Sequence, residues 1–205
     1  MAVRLANRKA LEEQFPKEGL YEIRRNYEVV RHELQTGDLI FFSGNHWLSN
    51  LIRLRSKGAW SHAGIVVRIE EIDRVFLVES ILEVGVRMIP ISFIIKDYDG
   101  HNHHYDGRVA WARYNGLTPA NALTIKEFVL DNLSKQYDRK EYSRILWRTI
   151  TGKAKIFHDT KYTCSEYVFE AFKRAKIYLK YERGDFISPA AIWSNEAIEM
   201  KGMII

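Results

Sequence analysis

With 205 residues, of which 46% are hydrophobic, 28% charged and 13% aromatic, the chain has enough apolar material for one hydrophobic core, and its composition excludes fibrous and disordered classes. The net charge of +5 and a pI near 9.2 are compatible with an anionic partner. The Lys and Arg residues are scattered, however, with neither a recognition-helix pattern nor an aromatic-basic stripe, so a solvated basic surface is expected and nucleic-acid binding is not. The single cysteine excludes an internal disulfide framework and a multi-cysteine zinc site.

The opening residues MAVRLANRKALEEQF hold no apolar run of signal-peptide length, and no later run approaches the roughly 18 apolar residues of a membrane-spanning helix, which places the protein in the cytoplasm. Residues 2–15 read as a helix, and Pro16 to Gly19 break it. Leu20, Ile23, Tyr27, Val30 and Leu34 then recur at spacings of three and four, the stripe of an amphipathic helix. Residues 1–35 therefore form a helical extension that packs on the main domain or binds a partner, and the main domain spans residues 36–205.

At Gly37 the pattern changes. GDLIFFSG is a short apolar run between turn pairs and predicts a buried strand at 38–42. Residues 46–57, HWLSNLIRLRSK, predict a short helix whose closing cations, Arg53 among them, suit its C-terminal dipole or an anion. WSHAGIVVRI is a strand with His62, Gly64, Val66 and Arg68 on one face, and VFLVES is a second strand one hairpin away. A turn centred between Glu70 and Glu71 sets residues summing to 141 opposite each other, so that His62 faces Glu79. A slip of two leaves them diagonal neighbours on one face, whereas a slip of one separates them.

GVRMIPIS (85–92) and RVAWARY (108–114) add two strands, making the centre a mainly antiparallel meander. The loop between them carries His101, His103 and His104 amid Asp97, Asp99 and Asp106. This mixture can bind zinc, but its spacing matches no standard site and an exposed loop is expected, with no metal. Thr118 caps a helix that starts at Pro119 and runs to about Lys135. A second helical segment and a polar connector containing His158 follow. Ser188 and Pro189 open a last helix, PAAIWSNEAIEM, whose Trp193 either fills core or walls a pocket.

Within this order the stretch YTCSEYVFEAF stands out. Thr163 and Glu166 form the spacing of a capping box, which makes Cys164 the first helical residue. A thiol there faces unpaired N–H groups and the positive end of the helix dipole, both of which favour the thiolate. Cys164 is thus either a small buried apolar residue or a nucleophile. His62 is the stronger candidate base, because His158 lies in a charged loop. Val168, Ala171, Phe172 and Ala175 form the inward face of the helix.

Gly37 and Asp38 before an apolar strand, SHAGIVV with His62, a following strand ending in Glu79, Tyr137 and Asp138 after a helix, and YTCSE with Cys164 together resemble the circularly permuted NlpC-type cysteine peptidases of the YiiX-like branch. That branch is similar in plan to the lecithin retinol acyltransferase group. The resemblance covers residues 36 to 172 and extends toward 193. It implies an α+β, papain-like fold in which an antiparallel sheet packs against the nucleophile helix. It also implies Cys164 as nucleophile, His62 as general base and Glu79 as the orienting third member, with Tyr162 and Ser165 near the substrate or oxyanion, and no cofactor. Glu166 departs from the Gly of the unpermuted motif. The expected activity is hydrolysis of an amide in a small peptide or cell-wall-like fragment. Acyl transfer or lipase chemistry on lipid acyl groups with the same residues is an alternative, as is a binding module without chemistry.

Overall fold

The structure, a computed structural model, describes residues 25–44, 49, 52–53, 58–136, 163–180 and 187–204. The helix expected over 2–15, most of that over 46–57, Tyr137, Asp138, His158 and Tyr162 lie outside these residues. Among the described residues no helix is long and apolar enough to cross a membrane.

Helix α1 spans Tyr27–Glu33 and is capped by Asn26, whose side chain accepts the Glu28 N–H. Strands β1 (Leu39–Gly44), β2 (His62–Ile69), β3 (Arg74–Ile81) and β4 (Gly85–Pro90) follow, then α2 (Ile91–Lys96), β5 (Gly107–Tyr114), α3 (Pro119–Asp131), α4 (Cys164–Arg174), α5 (Pro189–Trp193) and β6 (Ile198–Met203). The strands form one sheet in the order β4-β3-β2-β1-β5-β6, with every neighbouring pair antiparallel.

The first four strands are the expected meander. β5 crosses to the other side of β1, which puts β1 at the centre of the sheet, buried along its whole length.

Strand alternation divides the core in two. Leu39, Phe41, Ala63, Ile65, Val67, Val78, Ala110 and Ala112 face α4, which supplies Tyr167, Val168, Ala171 and Phe172, and α3, which supplies Ile125 and Val129. Ile40, Phe42, Val66, Leu77, Val109 and Trp111 face the other way, onto Val30 and Leu34 of the α1 segment and Ile91 and Ile94 of α2. Fully burying each of the Leu, Ile, Val and Phe side chains contributes about 1.5–3 kcal/mol, so both layers hold the sheet in place. Tyr167 also donates its hydroxyl to the Val129 carbonyl at 2.8 Å, joining α4 to α3.

Three expected elements end differently. The helix that starts at Pro119 stops at Asp131, short of Lys135. The run GVRMIPIS is strand only to Pro90, where the chain turns into α2. The helix opened by Ser188 stops at Trp193 rather than continuing through Met200. Ser194 Oγ bonds the Ala190 carbonyl at 2.9 Å and Asn195 Nδ2 bonds the carbonyls of Ala191 and Ile192, closing the helix. The remainder becomes β6, because its backbone groups pair with β5. Trp193 is core, packed with its ring edge on Phe41 at 4.9 Å and against Trp60 at 4.9 Å.

Candidate active site

Thr163 and Glu166 form the capping box. The Thr163 hydroxyl accepts the Glu166 N–H at 3.3 Å and the Glu166 carboxylate accepts the Thr163 N–H at 2.9 Å. Cys164 is accordingly the first residue of α4, and it is 7% exposed. The N–H groups of Cys164 and Ser165 lie outside the box, at the positive end of the helix.

The β2–β3 register differs from the simplest hairpin by two residues. Ile65 pairs with Val78 and Val66 with Leu77, so paired numbers sum to 143. The turn holds a 3-10 segment, Glu70–Ile72, and Asp73 in the left-handed region at φ 47°, and this shifts its centre toward Ile72. Continuing the register sets Gly64 across from Glu79 and leaves His62 one diagonal step away on the same face. The diagonal is bridged, since His62 Nε2 lies 2.6 Å from Glu79 Oε2.

Gly64 makes room for this crossing. A Cβ there would stand 2.6 Å from Leu77 Cδ1 and 3.2 Å from Glu79 Cβ. Phe42, directly opposite His62 on β1, packs its ring 5.4 Å from the imidazole.

Glu79 is only 3% exposed and is held from both sides, by His62 on Oε2 and by the Arg87 guanidinium on Oε1, where Arg87 Nε donates at 2.8 Å. Burial raises the carboxyl's pKa, and the hydrogen bonds and charges of His62 and Arg87 more than offset this, holding it below the usual value.

Burial alone would lower the His62 pKa. The charge and hydrogen bond of the Cys164 sulfur, followed by those of Glu79, overcome it and push the value up to about 10. The reciprocal effect acts on the thiol. Burial raises its pKa, while His62, the Ser165 hydroxyl and the Ala63 backbone together bring it below its ordinary value. The Ser165 oxygen lies 3.7 Å from Cys164 Sγ. A thiolate beside an imidazolium is the protonation state these interactions favour.

Of the residues singled out in the sequence, Cys164, His62, Glu79 and Ser165 are thus neighbours, and Tyr162 lies outside the described residues. Arg87 was missed, although applying the cross-strand arithmetic to the next hairpin, SILEVGVR, would have found it opposite Glu79. Asp38 is elsewhere. It accepts from Gln35 N, Trp111 Nε1 and Arg113 at the start of β1 and serves the fold.

His101, His103 and His104 are exposed. The Nδ1 atoms of His103 and His104 bond backbone carbonyls, and the rings of His101 and His103 stack at 6.1 Å. Among the described residues no group of three or more His, Cys, Asp and Glu is placed to hold a metal ion.

A family model described as "Permuted papain-like amidase enzyme, YaeF/YiiX, C92 family" matches residues 33–184, most of the chain, and the protein belongs to that family. Its sheet flanked by helices is the permuted papain-like fold. Among solved structures, the chain is similar to one described as metalloprotein yiiX from Escherichia coli O157:H7. That likeness has 19% identity and a TM-score of 0.59, and it covers 81% of this chain and 95% of the other. The metal in that description belongs to that protein. No curated protein matches the chain.

Proposed function

We propose that the protein is a cysteine hydrolase that cleaves an amide bond of a small peptide or cell-wall-fragment-like substrate through a thioester acyl-enzyme. The observation that carries this reading is the division of labour on the His62 ring. Nε2 is committed to the buried carboxylate of Glu79, and the same imidazole interacts with the sulfur of Cys164. With Nε2 so engaged, Nδ1 is the nitrogen left to exchange a proton with the thiol.

In this mechanism the Cys164 thiolate attacks the amide carbonyl carbon, and the carbonyl π electrons move to oxygen. The N–H groups at the start of α4 stabilise the oxyanion. On its collapse the C–N bond breaks, and the His62 imidazolium gives its proton to the leaving amine, producing a thioester and a neutral ring. His62 then takes a proton from water as that water attacks the thioester, and Cys164 departs as the thiolate beside a restored imidazolium. Glu79 keeps the ring oriented throughout, as a carboxylate does in other triads.

The test is the rate at which iodoacetamide alkylates Cys164 at pH 7. A thiol of ordinary pKa is only about 3% ionised there, so an ion-paired thiolate is expected to react roughly tenfold or more faster than free cysteine, and His62→Ala to lose most of that gain. Equal rates in wild type, His62→Ala and free cysteine would overturn the reading. Intact mass after incubation with peptide and lipid acyl donors tests the substrate class, and adducts from fatty-acyl donors alone would exclude the amide assignment.

A further inference from the structure

Arg87 occupies the β4 position directly across from Glu79. Its Nε and Nη2 both reach Oε1 of the carboxylate, at 2.8 and 2.7 Å, while Oε2 is 2.6 Å from His62 Nε2. The carboxylate is 3% exposed, and the side chains that flank it, His62 and Arg87, are 23% and 28% exposed. The groups around it are therefore His62 from β2, with Cys164 of α4 acting on the same ring, Arg87 from β4, and Tyr105, whose phenol is influenced by the Glu79 charge. Cys164, His62, Glu79 and Arg87 form a row of alternating charge when the thiolate and imidazolium are present.

That row matters most when His62 is neutral. A buried carboxylate facing one cation is costly to keep ionised, and in a Cys-His-Glu arrangement that positive charge disappears each time the imidazolium gives up its Nδ1 proton, leaving only the neutral Nε2–H donor. Arg87 remains a cation at every stage, because guanidinium does not deprotonate in the working range.

We propose that Arg87 is a positioning residue of this site: by pinning Oε1 of Glu79 it aims Oε2 at His62 Nε2 and keeps the carboxylate charged through the half of the cycle in which the imidazole is neutral. The inference rests on the reading of His62 and Glu79 as base and orienting carboxylate, but its measurement does not depend on turnover. Arg87 acts through Glu79 and does not itself touch the reacting atoms.

The experiment follows the His62 ring nitrogens and the Nε2–H proton by NMR across pH in the full chain labelled with 15N-histidine. Circular dichroism on each variant checks that it is folded. In acid the Nε2–H signature of the Glu79 bond is lost when the carboxylate protonates. Arg87→Ala is expected to raise that midpoint by about one pH unit or more, since the carboxylate loses a contacting cation in a buried setting. Arg87→Lys should recover much of the shift, and Arg87→Gln, which keeps length without charge, should reproduce it if the alanine variant does not fold. In a Glu79→Gln background, Arg87→Ala should leave the His62 signals where Glu79→Gln alone put them.

A midpoint moved by less than about 0.3 unit in both neutral variants would mark an ordinary rim ion pair and overturn the proposal. So would a shift of the His62 signals of equal size in the Glu79→Gln background. Slow alkylation of wild-type Cys164 would count against the hydrolase instead, and it can be told apart because the Arg87 midpoint is read independently of it.

Discussion

Cys164 and His62 move each other's pKa values in opposite directions, which gives the site a defined pH behaviour. An unfolded imidazole titrates near about 6.5 and an unfolded thiol near about 8.5. The His62 value is raised in the fold, to about 10, so its contribution to stability is fully present below about 6.5 and is lost as the pH rises through about 10. The Cys164 value is lowered, so its contribution is present above about 8.5 and is lost as the pH falls through the depressed folded value. Where the two ranges overlap the slopes have opposite sign and offset each other. Cys164→Ala removes the largest influence raising the imidazole and is expected to lower the His62 midpoint by more than about one pH unit in an NMR titration. A midpoint that stayed near its wild-type value would show that the sulfur does not act on the ring.

Among the elements, the β2–β3 hairpin is the one that brings His62 and Glu79 together. The alternation of SHAGIVVRI and VFLVES made the faces legible, since every second residue must share a side. The turn was less legible. Its 3-10 segment and the left-handed Asp73 shift the register by two, and a side chain count cannot reveal this. The even slip preserved the face, and for that reason His62 still reaches Glu79.

Gly64 lies where this reach crosses the sheet, and Gly64→Ala would set a methyl 2.6 Å from Leu77 Cδ1, 3.0 Å from the Val78 carbonyl oxygen and 3.2 Å from Glu79 Cβ. A loss of about 1–3 kcal/mol is expected in urea unfolding. The alkylation rate of Cys164 should fall with it as Glu79 is pushed aside, and unchanged stability would show that Leu77 and the strand backbone yield without cost. The α4 start was fully legible, because a capping box is a local pattern whose partners lie three residues apart.

Across the whole molecule, the sheet separates the end that carries the candidate chemistry from the end that anchors α1. Asp38 is completely buried and collects four donors, among them the two arms of Arg113, whose Nη2 also reaches the Glu33 carbonyl at the end of α1. Arg68 and Asp73 make a second tie from the β2–β3 turn to Arg31 of α1. Asp38 sits four residues before Phe42, the partner of His62, a separation of roughly 13 Å along the strand. Asp38→Ala strands a buried indole N–H and a guanidinium, and is expected to cost about 3 kcal/mol in urea unfolding. The alkylation rate of the folded protein should remain as in wild type. A large fall in that rate with stability intact would place Asp38 in the chemistry.

The sequence by itself determined the helix start at Cys164, the strands carrying His62 and Glu79, the face those two share, and the order of pieces that marks the family. All of these are set by local spacing, by capping, or by alternation along one segment. The tertiary structure alone decided the register of the hairpin, the crossing of β5 to the far side of β1, the end of α5 at Trp193 and the conversion of the residues after it into β6. It also decided that Arg87 closes on Glu79 and that the Cys164 sulfur meets an imidazole a hundred residues upstream. Those outcomes depend on which distant backbone edge and which distant charge arrive alongside, and a chain read in one dimension carries no record of that.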